Sequence, residues 1–584
     1  MVKAEIPDLE TAKKIKKKFI QSDAGDGTKA TEQYIHGYKL AFTLLSIVAS
    51  LFIAALDQTI VSTILTEISE EFGNFDKVGW LTSGFLLPTA CFMPSYGKIS
   101  IAFGRKYTLI AGIIIFEIGS LIAALANSMD MLIGGRVIQG VGGGAIQSMV
   151  VVVLSESVPI NKRPLSMALI GITFSVASVA GPFIGGAFAS HVTWRWCFWI
   201  NLPIGGLALV MLVLAFHPPR PRGSLREKLK KIDYLGTFLF ASGLVLVLLA
   251  LTFGGNEFPW KSAAVICCFV LGGLILIIFI YYNFWVSKNA LIPKEVVVVP
   301  KILMATSTAV FNFCFFMGIV TYLAIYFQVI WQATPWRSGI DMLPFIISVS
   351  LSSVFNGVFM RFTRYVKITM VVSGVLGPVG VGLFLILDTD TPSSQRIGLL
   401  IPAGVSVGLM FQSSMMSAQL EAPGDVPGSM ILVTIFLNAM KTVGGVIGVV
   451  TSQLMLTSRG QKYLADVVSS HEELSHLSPR LVIQAPAMIW DFPVPARDDA
   501  LDAFMSALTD VYYLNLAFAS IAFISSLFTT NKKIPSKNQI GHNDDPEESK
   551  EDAATDTSKE LSQGPSSEEP LEVDQPTEKR NEQL

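Results

Sequence analysis

Fourteen apolar windows run along this chain, most of them separated by short polar connections. They lie near 39–63, 78–97, 106–126, 131–155, 165–189, 198–216, 234–253, 262–286, 302–327, 338–360, 367–387, 396–417, 430–454 and 510–530. A helix needs roughly 20 apolar residues to cross a bilayer, and most of these windows reach that length. The pattern predicts an all-α integral membrane protein of fourteen spans, with 396–417 among the more polar. The first window is long enough to be a permanent anchor rather than a cleaved leader.

Positive charge orients the spans. Even-numbered connections carry Lys98, Arg105 and Lys106, then Lys162 and Arg163, then six basic residues between Arg220 and Lys231, then Arg361, Arg364 and Lys367. Odd-numbered short connections hold little beyond Lys77, Arg195, Lys261, Arg337 and Arg396. The run Lys13, Lys14, Lys16, Lys17 and Lys18 ahead of the first span reads as the same inside-positive signal rather than a nuclear address. Both termini are expected in the cytoplasm, which an even number of spans requires.

Composition excludes several classes. Of 584 residues, 51% are hydrophobic and only 15% charged, against about 25% charged in soluble domains. A net charge of -2 gives no overall attraction to nucleic acid. Cys91, Cys197, Cys267, Cys268 and Cys314 sit in or beside apolar windows without metal-ligand spacing. No His-Glu-x-x-His metal motif occurs, and neither a cofactor nor an enzymatic activity is expected.

Four charges fall inside the windows: Asp57, Glu117, Arg136 and Lys441. Such residues are costly in a bilayer and are functional candidates by default. Asp57 lies near the outer end of the first span and Arg136 near the outer start of the fourth. Both are roughly 8 Å below the outer interface at 1.5 Å per residue, so they are matched in depth for pairing. The pair reads either as a fixed brace or as a proton site, Asp57 taking up and releasing a proton with Arg136 as its counter-ion. Two acids and two bases sum to zero, so one proton or one cation changes the internal charge by one. On the fourth span Arg136, Gln139, Gly140, Gly143 and Gln147 recur on one side, glycines for close packing and amides for a polar cavity. The run Gly142-Gly143-Gly144 has no preceding strand and is not a nucleotide loop. On the fifth span Gly181, Pro182, Gly185 and Gly186 mark a segment able to bend and pack closely.

These residues resemble a known family. Gly97 to Lys106, with Gly97, Gly104, Arg105 and Lys106, resembles the loop 2–3 motif of the major facilitator superfamily. Leu132 to Gly143 resembles its fourth-span motif, and Gly181 to Gly186 its antiporter motif. Leu56 to Val61 and Trp194 to Gly206 are similar to signatures of its fourteen-span drug:proton antiporter branch. Phe116 to Ser120, Leu251 to Asn256 and Lys441 resemble the yeast subgroup of azole- and weak-acid-resistance exporters and vacuolar basic amino acid transporters.

The resemblance implies a major facilitator fold: two six-helix bundles plus two extra central helices. The expected parts are a tail 1–38, a bundle 39–216, a linker with the inserted pair 217–286, a bundle 287–530 with an outer loop 455–509, and a disordered acidic tail 531–584. It implies that Asp57 and Arg136 couple protons; the residues themselves point to Gln139, Gln147 and Lys441 on a substrate cavity, with Glu117 as a substrate-facing or second proton-accepting acid. Two departures stand out. Ile101 replaces the Asp usual in the loop motif, so Arg105 is expected to pair with Glu156 instead, and Ala177 replaces an earlier Gly of the antiporter motif. The implied function is proton-coupled export of drugs, toxic metabolites or small organic solutes by a monomer in the bilayer, at the plasma membrane in preference to the vacuole. Alternatives are basic amino acid transport and a transporter-like receptor.

Overall fold

The computed structural model describes residues 23–536, apart from 62–63, 73–76, 78, 255–257 and 475–476. The lysine run 13–18 and the tail beyond 536 lie outside the described residues. Among the described residues, thirteen helices are long and apolar enough to cross a membrane, and one shorter apolar helix completes the fourteen expected elements. They are α1 Gly37–Ile60, α2 Gly79–Phe92, α3 Arg105–Ala124, α4 Met129–Glu156, α5 Arg163–His191, α6 Trp196–Ala215 and α7 Tyr234–Phe253. The remainder are α8 Ala263–Tyr281, α9 Pro300–Ile330, α10 Leu343–Thr363, α11 Lys367–Leu383, α12 Ser393–Leu420, α13 Ser429–Ser470 and α14 Val494–Leu527.

Local chemistry sets the ends. Ser128 Oγ accepts from the Met131 amide at 3.3 Å to cap α4, Asp233 accepts from Gly236 at 2.8 Å to cap α7, and Ser262 caps α8. The second span stops short because the chain turns at Met93-Pro94 before resuming as the helix Ser95–Phe103. Gly104 then adopts φ 95°, a left-handed turn that lets Arg105 start α3 directly.

Packing divides the helices into two sets of six. In the first, α3 and α2 pack on α4, and α5 and α6 pack on α1. In the second, α9 packs on α13 and α14, while α12 packs on α10 and α11. The hairpin α7–α8 attaches through Phe240, Leu244 and Leu248, in one apolar cluster with Leu87 of α2 and Val446 of α13. The two sets meet along α5 and α10, with α13 closing on α2 and α4.

The segment 455–509 is largely ordered helix: α13 continues 16 residues past 454 to Ser470, short turns cover Pro479–Gln484 and Pro486–Asp491, and α14 begins at Val494. Leu464, Val482 and Ile489 are fully buried in the second core, and Tyr463 Oη donates to Asp510 at 2.9 Å. The exposed face carries Lys462 and Asp466, which lowers the average hydropathy and hides the buried face from a window reading.

Candidate functional site

Asp57 of α1 and Arg136 of α4 form a buried ion pair, both essentially inaccessible to solvent. Arg136 also donates through Nη1 to Gln139 Oε1 at 2.8 Å and through Nε to the Leu81 carbonyl at 2.9 Å. Its guanidinium lies 4.7 Å from the Phe85 ring centre and 5.8 Å from that of Phe198. Asp57 Oδ1 accepts from Gln139 Nε2 at 3.1 Å and from Asn201 Nδ2 at 3.3 Å, and both amides also reach Ser120 Oγ. Four helices, α1, α3, α4 and α6, thus contribute to one buried network around the Asp57 carboxylate.

The pairing expected from matched depth is present. Gln139 is fully buried inside this network, which corrects its expected place on an open cavity: its amide is consumed by Asp57, Arg136 and Ser120. Asn201 and Ser120 were missed by the sequence reading. Asn201 is a polar residue at the head of an otherwise apolar span, the one signal that marks it.

Glu117 of α3 lies against Gly205 of α6, and both its oxygens are buried without a hydrogen-bond partner among the described residues. Lys441 of α13 sits elsewhere, its Nζ 5.1 Å from the Phe313 ring centre and 5.2 Å from that of Phe411. Lys441 borders a narrow cavity of about 20 Å³ between the two sets, lined by Val151, Met167, Ile170, Phe411, Met415 and Asn438. Glu117 does not line it. Gln147 does not line it either; its carbonyl accepts from Asn438 at 3.4 Å, and its Nε2 has no partner among the described residues. Lys441 therefore stands apart from the Asp57–Arg136 pair, while Glu117 lies within electrostatic reach of Asp57.

At the end of the bundle marked by Arg105, the expected partner is found: Arg105 Nε donates to Glu156 Oε2 at 2.8 Å and Nη2 to Oε1 at 3.2 Å. A second, unexpected acid, Asp26, accepts from Nη1. Gly97 packs against Ile435 of α13, and Lys106 Nζ donates to the Val213 carbonyl at 2.8 Å. Gly181 packs on Thr59 of α1, and Pro182, Gly185 and Gly186 lie inside the continuous helix α5. Gly404-Val405-Ser406-Val407-Gly408 spells a nucleophile-elbow pattern. It lies within α12, however, with Ser406 Oγ donating to the Ser373 carbonyl at 2.8 Å.

Two six-helix sets with a buried charge network and an intervening cavity define a multi-pass membrane transporter. The Major Facilitator Superfamily model matches residues 47–449, and the chain belongs to that family. Among curated relatives, Vacuolar basic amino acid transporter 5 of Saccharomyces cerevisiae is 34% identical, covering 91% of this chain and 97% of the relative. Azole resistance protein 1 of the same yeast is 33% identical, covering 87% and 91%, respectively. Efflux pump aflT of Aspergillus parasiticus is 32% identical, covering 86% and 97%. A solved bacterial homolog of the human lysosomal transporter Spinster, inward-facing and unoccupied, shares the fold with TM-score 0.51 at 14% identity, covering 85% of this chain and 98% of that one.

Proposed function

We propose that this protein is a proton-coupled antiporter that exports apolar organic compounds, drugs or toxic metabolites, from a fungal cell. The observation that carries the reading is the Asp57–Arg136 pair with its amide partners. Breaking a buried pair by removing one charge is strongly unfavourable. A proton arriving at Asp57 cancels its charge, releases Arg136 and so makes helix rearrangement conditional on protonation. Alternating access then rocks the two sets about the cavity between them.

The cavity favours the cargo class. It is narrow in this conformation, and its apolar and aromatic lining, with Lys441 as its charged group, favours apolar cargo that is neutral or acidic once the sets part. The second reading, basic amino acid transport, is favoured by the 34% identity to the yeast vacuolar transporter. A cationic cargo would meet Lys441 as a like charge, which weighs against it. The inside-positive pattern supports cytoplasmic termini, with the Arg105 end facing the cytoplasm.

Proteoliposomes with an imposed pH gradient test the reading, using labelled lysine, an azole and fluorescein as an aromatic anion. The wild type is expected to accumulate the azole or fluorescein, and Asp57→Asn to lose gradient-driven accumulation while still binding its cargo. Full accumulation by Asp57→Asn would refute the proton role. Accumulation of lysine alone would replace the first reading by the second. Lys441→Gln is expected to weaken fluorescein transport more than azole transport.

A further inference from the structure

The segment 23–33 crosses from one half of the molecule to the other. Asp26, with its side chain fully buried, accepts from Arg105 Nη1, and its other oxygen accepts from the Thr28 amide at 3.0 Å. Arg105 Nη2 donates to the Ala24 carbonyl at 2.7 Å, and Arg105 belongs to the first set of helices. One residue before Ala24 the same segment grips the second set, where the Gly428 amide, at the head of α13, donates to the Asp23 carbonyl at 2.8 Å. Gly25, at φ 77°, packs face to face with Gly428, so that any side chain at 25 would strike backbone. The Arg222 amide, in the linker, donates to the Asp26 carbonyl at 3.1 Å.

We propose that Asp26 is a positioning residue of the transport cycle: it locks onto Arg105 of the first half the segment that grips the second half through Asp23 and Gly25, and it releases Arg105 whenever that end opens. The inference rests on the alternating-access reading above. Two observations separate a gate from an anchor. An anchor for the N-terminal segment needs contact with one half only, whereas this one spans the line along which the halves must part. The buried charges also balance only with Asp26 in place, since Arg105 and Arg163 face Asp26 and Glu156. Withdrawing Asp26 leaves an uncompensated buried cation, a state that favours rehydration and opening of this end. The α2 side offers no replacement, because the residue lying against Gly428 there is the apolar Ile101.

The test measures distance across the gate in the full-length chain in lipid nanodiscs. Nitroxide labels are placed at Lys162→Cys on the first half and Asp425→Cys on the second, with Cys267 and Cys268 replaced by Ser. Pulsed dipolar spectroscopy should show Asp26→Asn raising the ratio of open to closed populations by about tenfold, the effect of 1.4 kcal/mol, with Asp26→Glu returning it toward the parent. Gly25→Val keeps the carboxylate but cannot seat on Gly428; it should also open the gate, and it decides the question should Asp26→Asn fail to fold. Parental distance distributions in the folded variants would overturn the proposal. Widened distances in a protein whose parent shows no gradient-driven transport would uphold the gate and refute proton coupling. Intact coupling with unchanged distances would refute the gate alone.

Discussion

Asn201 Nδ2 is divided between Asp57 Oδ1 and Ser120 Oγ, so one amide braces both the charged pair and its neighbour on α3. Replacing it with Leu keeps similar volume but strips a donor from two buried acceptors. Each unsatisfied buried group costs about 1–3 kcal/mol. Asn201→Leu should therefore lower the melting temperature in detergent, followed by tryptophan fluorescence, and also reduce gradient-driven uptake. An unchanged melting temperature would mean that the Gln139 contacts alone sustain the network. The Asp57–Arg136 pair itself was legible because two opposite charges at one depth have few other partners. Asn201 was not, because an amide in a mixed aromatic stretch has no depth argument to single it out.

At the scale of elements, the short helix Leu65–Phe72 is fastened to the turn before α6. Arg195 donates to Glu71 at 2.8 Å, and the Trp194 indole donates to the same carboxylate at 2.6 Å. The Arg195 hydrogen bond, joined by that of Trp194, holds the Glu71 carboxyl below its ordinary value of 4.5 despite partial burial. A lowered folded value means the contact stabilises above pH 4.5 and is lost as pH falls through the lowered value. Glu71→Gln should thus melt slightly earlier than the parent at pH 7, with the gap closing below about pH 4.5. A gap independent of pH would show that charge is not the source. The size should be small, since the carboxylate is well exposed.

Hydropathy located every crossing element, because a span must be apolar wherever it meets lipid. It failed where helices leave that requirement. The extensions of α13 and α14 bury one face and expose charges on the other, and their mean value falls to that of a loop. Asp26 escaped for a different reason. It lies 79 residues from Arg105 in a polar segment with no periodicity, and only the folded chain brings the two together.

For the whole molecule, the line where the halves meet is as consequential as either half. Gly171 of α5 faces Ser353 of α10 on that line, so a large side chain at 171 would strike the serine. Overpacking typically costs about 1–3 kcal/mol. Gly171→Leu places that cost on the closed interface between the sets, not within one core. Turnover should fall, by about tenfold per 1.4 kcal/mol added to the limiting step, while the melting temperature moves by only a few degrees. A large loss of melting temperature with turnover per folded molecule preserved would show that the contact is ordinary packing.

The grip of Gly25 and Asp26 on the gate has a practical consequence. A fluorescent protein fused in place of residues 1–22 would be tethered to the part of the molecule that lets go during each turn. Its anisotropy would then rise and fall with the cycle. The chain would carry its own indicator of activity, readable in living cells before any cargo has been identified.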